Sequence, residues 1–420
     1  MKIGVVHWAF PPVVGGVESH LIYLYGELAS MGHDVSFLTS PHPQREDGRA
    51  GWCTVVSDAL MSIDRLLKMP PGPGRRNKVH SMLEGFIQDA SPDVIHAHNL
   101  HYFFPDHAES LGHLARKYGI PIVLTVHNYW DEDLCRHLLR DVGWDMVVAV
   151  SYHMKRPCLF DAKLPSEKVE VHYHGIDLDQ YKKREDREEL KERLGFTGRR
   201  VVFHPARMCE MKGTLHGIEA VSKLRDKYPD ICLVVSGNGD TVDFENERPT
   251  FRAKVKGLLE KLKVSDNIQF VSIPADEMPV YMNAADIVIY PTILPRGEAF
   301  GIAPVEAMAC GRPVIVTNSG GLPESTSHNI NGLVVENDPA ILTENLAASI
   351  EYLLERPGLS CYLGTNGRAV AEERFDAKTM ALKMEDLYNR LIIARLVESP
   401  GKFGATLRGS APAQKKTSEH

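Results

Sequence analysis

Long apolar runs are missing from this chain of 420 residues, and no stretch approaches the roughly 20 apolar residues that a membrane-spanning helix needs. An excess of positive charge is missing too. With 48 Lys and Arg against 55 Asp and Glu the net charge is -7, which argues against general nucleic-acid binding through clustered cations. The seven cysteines are odd in number, scattered, and never spaced Cys-x-x-Cys, so free thiols in a reducing cytoplasm are expected rather than a disulfide framework. No Gly-x-Gly-x-x-Gly opens either half of the chain, which counts against a dinucleotide oxidoreductase. The opening Met1-Lys2-Ile3-Gly4-Val5-Val6 reads as a strand, not as a signal peptide.

What is present is ordinary in bulk, 43% hydrophobic and 25% charged, and suits a soluble globular protein. The length exceeds what one core usually serves, so two domains are expected. Short β-branched runs alternate with longer amphipathic stretches, the pattern of parallel sheets covered on both faces. The first set of strands is expected at 2–7, 34–38, 93–98, 121–127, 146–151 and 169–172. A second set follows at 200–205, 231–236, 267–271, 286–290, 313–317 and 332–335. Between the sets, the charge-rich stretch Asp179–Gly198 is expected to be a solvated linker or helix at the domain boundary. Phe375–Leu391 reads as a terminal helix, and the polar residues beyond about 396 as a disordered tail.

One segment carries most of the functional information. Glu298-Ala-Phe-Gly-Ile-Ala-Pro-Val-Glu306 places two carboxylates around Phe300-Gly301-Ile302, just after the strand ending at Tyr290. Pro304 suits the first turn of a helix, so Glu306 is expected in the opening turn and Glu298 in the loop before it. Free N–H groups at a helix start bind phosphate, and carboxylates accept bonds from vicinal hydroxyls. Together they suggest a nucleotide-sugar. A bland alternative also fits, with Glu306 complementing the helix dipole and Glu298 merely solvated.

Other candidates lie at strand ends. Arg207 and Lys212-Gly213 follow the first strand of the second half, where two cations would neutralise a diphosphate, though surface loops hold basic residues anyway. Gly237, in Ser236-Gly-Asn-Gly-Asp240, suits close backbone approach or a simple tight turn. Gly15-Gly16 joins the first strand to its helix and offers backbone N–H groups to a phosphate or sugar, or only a strained turn. His127 ends the strand 121–127, where ligands of open α/β sheets bind, but a strand-end histidine also serves structurally. His96 and His98 alternate onto one side of their strand, yet the sequence shows no convincing further ligands for zinc. Asp177-Leu-Asp179 follows the last strand of the first half and is discounted as a metal site.

In this order and spacing the Gly15-Gly16 loop, His127, Arg207 with Lys212-Gly213, and Glu298-x7-Glu306 with Phe300-Gly301 resemble the family 4 glycosyltransferases over about residues 1–395. The resemblance implies an α/β fold of GT-B type, two Rossmann-like doubly wound parallel-sheet domains facing across a cleft. It implies residues 1–180 as the acceptor-binding domain, 181–374 as the nucleotide-sugar domain, and 375–395 as a helix packing back toward the first domain. It implies a retaining, metal-independent hexosyl transfer from a nucleoside diphosphate sugar, with UDP-glucose or UDP-N-acetylglucosamine favoured and a GDP-sugar possible. No cofactor is implied, and the hydroxyl acceptor is unknown.

By the same resemblance Arg207 and Lys212 hold the diphosphate, Glu306 takes the ribose, and Glu298 with the backbone of Phe300, Gly301 and Ile302 holds the sugar. His127 stands beside the reacting sugar, and Gly15, Gly16 and Gly237 belong to the donor site. His174-Gly-Ile-Asp177 departs from the family's usual Asn-Gly-Val-Asp, and Pro295-Arg296-Gly297 is individual to this chain. A nucleotide-sugar epimerase or hydrolase of the same architecture is the alternative, and a non-enzymatic sensor a third class. The basic and apolar stretch 63–78 reads as a flexible loop, either an acceptor lid or a peripheral membrane contact, the latter not favoured given the negative net charge.

Overall fold

The computed structural model describes residues 1–13, 15–102, 104–237 and 248–398. Asn238, Gly239 and Asp240 of the second glycine turn, and the tail from 399 on, lie outside them. The chain forms two compact units, one comprising Met1–His172 and the chain from Met380, the other Tyr173–Thr379.

The first unit holds β1 (Lys2–Val6), β2 (Asp34–Thr39), β3 (Gly48–Ala50), β4 (Cys53–Ser57), β5 (Val94–His98), β6 (Ile122–Val126), β7 (Met146–Ala149) and β8 (Val169–Val171). They lie in the order β3-β4-β2-β1-β5-β6-β7-β8, parallel throughout except for the β3–β4 pair. Strands β5, β6 and β7 are buried at every residue, as expected for a sheet covered on both faces. In the second unit, β9 (Arg200–His204), β10 (Ile231–Ser236), β11 (Ile268–Val271), β12 (Ile287–Tyr290), β13 (Val314–Thr317) and β14 (Leu333–Val335) form an all-parallel sheet ordered β11-β10-β9-β12-β13-β14.

In each sheet the strand order reverses at the first strand. β1 lies between β2 and β5, and β9 between β10 and β12, so each sheet has a switch point at which the loops leaving two neighbouring strands diverge. Ligands of open α/β sheets bind at such points. Lys212 and Glu298 follow β9 and β12, and the Gly15–Gly16 turn follows β1.

Three expectations need correction. The stretch 179–198 is not a linker: it belongs to the second unit, and its helix Arg187–Arg193 packs Leu190 against Val280 and Ala284. Two of its charges turn inward, Lys191 Nζ donating to Asp286 at 2.9 Å and Arg187 pairing with the same carboxylate, while Lys182, Lys183, Glu188, Glu189, Glu192 and Arg193 are exposed. By packing, the two compact units divide at His172–Tyr173. The stretch 63–78 is not a flexible loop either. It is helical over Ile63–Lys68 and from Pro73 on, and Arg75 and Arg76 are paired with Asp106. The third is the sheet edge at β3 and β4, which the strand pattern did not suggest; β3 is short and exposed at all of its residues, so it carries no apolar signal.

The last helix, Ala377–Glu398, is held to the first unit by polar anchors along its length. Glu385 meets His33 at 2.8 Å, Tyr388 meets His96 at 2.6 Å, Arg390 meets Glu170, and Arg395 meets Asp145.

Candidate active site

The centre of the second unit is an ion pair. Lys212 ends a short turn after β9, and its Nζ donates to Glu298 Oε2 at 2.7 Å and to the Tyr290 hydroxyl at 3.0 Å. The turn is set by Gly213, whose φ is +73° and where a Cβ would stand 1.9 Å from the Pro291 carbonyl oxygen, so only glycine fits. The loop after β12 is stitched to this turn: Thr292 Oγ1 and the Ile293 N–H both donate to the Met211 carbonyl. Burial disfavours a charged Lys212, but the Glu298 carboxylate and the Tyr290 hydroxyl outweigh it and raise its pKa. The ammonium therefore stays charged in a nearly buried place, where its field is screened little. Arg207, on the same loop, is exposed and close enough to Tyr290 to act on its hydroxyl.

Glu298 is held from behind. Its N–H donates to Ser319 Oγ at 3.3 Å, and its carbonyl accepts from the Gly321 N–H at 2.7 Å. Gly320 lies between them at φ +59°, where a Cβ would come within 2.2 Å of the Glu298 carbonyl oxygen. The Ser319-Gly320-Gly321 turn after β13 thus clamps the Glu298 backbone.

Gly301 (φ +83°) caps the helix Ile302–Ala309, and a Cβ there would meet Leu322 at 2.6 Å. The helix starts two residues earlier than Pro304, so Glu306 stands at the beginning of its second turn and not in the opening one. Nor does it sit at the dipole's end in water. Glu306 is buried, and burial pushes its carboxyl up to about 7 against a hydrogen bond from Tyr181. Phe300 has its ring in an aromatic cluster with Tyr173, His174 and Phe375 at centroid distances of 5.2 to 5.7 Å. Its side chain is therefore a packing element, and only its backbone is left for a ligand. Gly237, at φ +146°, ends β10 and donates its N–H to Val271. Asp177 accepts from the N–H groups of Asp179 and Gln180, a local turn.

In the first unit the glycine turn starts the helix Gly16–Ser30, with Gly15 as its N-cap. Glu18 folds back over Gly15, its Oε2 2.3 Å from where a Cβ would be, and lies 3.5 Å from His7. His127 follows β6. Its N–H donates to the side chain of Asn99 at 2.9 Å, and its Nε2 lies 2.9 Å from His98 Nδ1. The expected pair of His96 and His98 is stacked at 4.3 Å between ring centroids. The sequence offered no third ligand to accompany them, whereas the fold brings His20 to His98 and His127, with one nitrogen of each within 4.8 Å of the others.

Two family models cover most of the chain: Glycosyltransferase Family 4 over residues 14–180 and Glycosyl transferases group 1 over residues 186–370. The chain belongs to glycosyltransferase family 4. This glycosyltransferase is 25% identical over 407 residues to an uncharacterized glycosyltransferase of Methanocaldococcus jannaschii, spanning 92% of this chain and 98% of that one. It is 27% identical to a GDP-mannose-dependent phosphatidylinositol monomannoside mannosyltransferase of Mycolicibacterium smegmatis, over 90% and 96% of the two chains. Among solved structures, Anabaena HepE in complex with UDP-glucose superposes with a TM-score of 0.73 at 21% identity, covering 93% of this chain and all of HepE. The shared fold is GT-B.

The glycosyltransferase thus brings Lys212, Glu298 and Tyr290 into contact, with Glu298 Cγ 3.7 Å from where a Cβ on Gly301 would stand at the helix start. Sequence reasoning missed Tyr290, Ser319, Gly320, Gly321 and Asn99. The Ser-Gly-Gly run one residue beyond β13, and an asparagine directly after β5, were the available signals. No helix among the described residues is long and apolar enough to cross a membrane.

Proposed function

We propose that this glycosyltransferase moves a hexosyl group from a nucleoside diphosphate sugar to a hydroxyl acceptor, with retention and without a metal ion. The observation that carries it is the Lys212–Glu298 pair at the switch point of the second sheet, beside the helix start at Gly301. Lys212, joined by Arg207, opposes the charge that grows on the β-phosphate as the sugar–oxygen bond breaks. The N–H groups of the first helical turn lack intrahelical partners and add to that field. Glu298, its backbone fixed by the 319–321 turn, accepts from sugar hydroxyls, and Glu306 accepts from the ribose. Gly237 supplies backbone approach in the second unit, and for Gly15, Gly16 and His127 of the first unit the donor-site roles are those that the family resemblance implies.

The acceptor hydroxyl attacks on the face from which the nucleotide leaves, so no enzyme nucleophile is required. A UDP-sugar is the favoured donor, since HepE binds UDP-glucose in the same fold; the GDP-mannose-dependent relative makes GDP-sugars the second series to assay. Incubation with a panel of nucleotide-sugars, followed by mass spectrometry of released nucleotide with and without acceptor, tests the proposal. Release that depends on acceptor supports transfer. Acceptor-independent release or epimerised sugar would identify the epimerase or hydrolase alternative instead.

A further inference from the structure

At the edge of the second sheet opposite Lys212, three cations face one carboxylate. Asp286 stands directly before β12, and both of its oxygens are engaged. Oδ1 takes Arg187, while Oδ2 accepts from Lys191 Nζ at 2.9 Å and from the Val201 N–H at 2.7 Å. Arg312 enters from the neighbouring strand. β12 and β13 pair Val288 with Val314, and Arg312 stands as far before Val314 as Asp286 before Val288. From Asp286 to Tyr290 is one strand length, about 13 Å, so this edge is well removed from the Lys212–Glu298 pair.

Arg312 is the cation left over. It is only 9% exposed, yet its Nε–H donates to the Cys310 carbonyl at 3.2 Å and no other hydrogen bond or ion pair holds its guanidinium among the described residues. Burial and the nearby Arg187 both press its pKa down, although a guanidinium keeps its charge in proteins. Arg187 is incompletely matched as well, since its Nε is buried and has no partner. A nearly buried charge without a counter-ion is costly, and buried donors almost always find acceptors. Two guanidinium forks side by side suit a tetrahedral oxyanion, which accepts from several N–H groups at once.

We propose that Arg312 and Arg187 form a phosphate-binding site on the second unit, separate from the donor site, which takes a free phosphate ion or the phosphate of a monoester.

Cys361 reports on this place. It lies in the helix Pro357–Arg374, one turn before Gly364, where a Cβ would stand 2.2 Å from the Gly311 carbonyl oxygen and 3.5 Å from the Arg312 carbonyl carbon. Cys361 is exposed and the other six cysteines are buried, so an uncharged alkylating reagent reads it alone. A bound anion removes positive potential that favours the thiolate. Roughly 20 mM phosphate, at ionic strength held with chloride, should therefore slow Cys361 alkylation several-fold in wild type and in Lys212→Ala, and not in Arg312→Gln. Phosphate should likewise raise the melting temperature by about 4 °C in the first two proteins and leave that of Arg312→Gln unmoved. Without phosphate, Arg312→Gln should melt no lower than wild type, because Arg187 loses a like-charged neighbour. Glycerol phosphate separates the two sources: a stronger effect than that of inorganic phosphate assigns the site to a monoester, an equal or weaker one to the free ion. A phosphate effect lost in Lys212→Ala and kept in Arg312→Gln places the anion in the donor site and overturns the proposal. No phosphate effect in wild type, with Arg312→Gln melting well below it, would make Arg312 only a cap on the Cys310 carbonyl.

Discussion

Lys212 and Glu298 meet at 2.7 Å although they leave different strands, and both side chains are largely withdrawn from water. Removing one partner of such a pair costs more than the pair contributes, because the other charge is left poorly solvated. Lys212→Ala should therefore lower kcat roughly a hundred- to a thousand-fold, the scale for losing one preorganised charge-stabilising group. Arg207→Ala, at an exposed position, should lose less. Steady-state kinetics with a working donor decides it: a raised KM with kcat intact in Lys212→Ala would assign the lysine to ground-state binding only.

The parts of this site that were legible in the sequence act by chemistry. Lys212, Glu298 and Glu306 announce themselves by residue type and by position after apolar runs that can only be buried strands. What the sequence hid acts by shape or over distance. Gly320 works through the absence of a Cβ near Glu298, which looks like any turn glycine. Tyr388 sits on a distant helix, and nothing local marks its hydroxyl as different from that of an ordinary amphipathic tyrosine. The charge-rich stretch 179–198 misled for a related reason. Its Lys191 is buried against Asp286, a pairing between residues far apart in sequence that composition alone cannot show.

Burial raises the Glu306 carboxyl to about 7, well above its value in an unfolded chain, so in the free protein it favours folding at low pH. That contribution is complete below the unfolded pKa and is lost as pH rises through about 7; the full shift is on the order of 3 kcal/mol. A ribose hydroxyl that donates to the carboxylate would favour the ionised form. Nucleoside diphosphate should then bind more tightly above pH 7 than below it, with proton release on binding. Calorimetry in buffers of different ionisation enthalpy measures that release. Glu306→Gln should bind more weakly and show a smaller proton release, limited to the ligand's own phosphate. Equal proton release in both proteins would remove Glu306 from the ribose site.

Gly320 and Gly257 give a matched pair of glycine-to-alanine tests. Gly320 has φ +59° and Glu298 backbone atoms within 2.5 Å of a Cβ, whereas Gly257 lies within the helix Arg248–Leu262 with nothing within 4 Å. Gly320→Ala must displace Glu298, and should lower the melting temperature by several degrees together with kcat/KM. Gly257→Ala should stabilise by about 0.5–1 kcal/mol and leave kinetics alone. If Gly320→Ala is as active as wild type, the 319–321 turn does not set the position of Glu298.

Metal independence is tested most sharply where the structure offers a competing arrangement. His20, His98 and His127 each bring a ring nitrogen within 4.8 Å of the others, but His98 already uses Nδ1 toward His127 and Nε2 toward Tyr25. An ion held there would have to break the His98–His127 hydrogen bond. Lys212, Arg207 and the helix start at Gly301 already provide positive potential for a leaving diphosphate. Turnover should therefore persist in EDTA, and the purified protein should carry substoichiometric zinc by plasma mass spectrometry. Loss of activity in EDTA with rescue by manganese or magnesium would overturn metal-independent transfer. One zinc per chain in the purified protein, lost in His20→Ala, would instead make the histidine trio a metal centre.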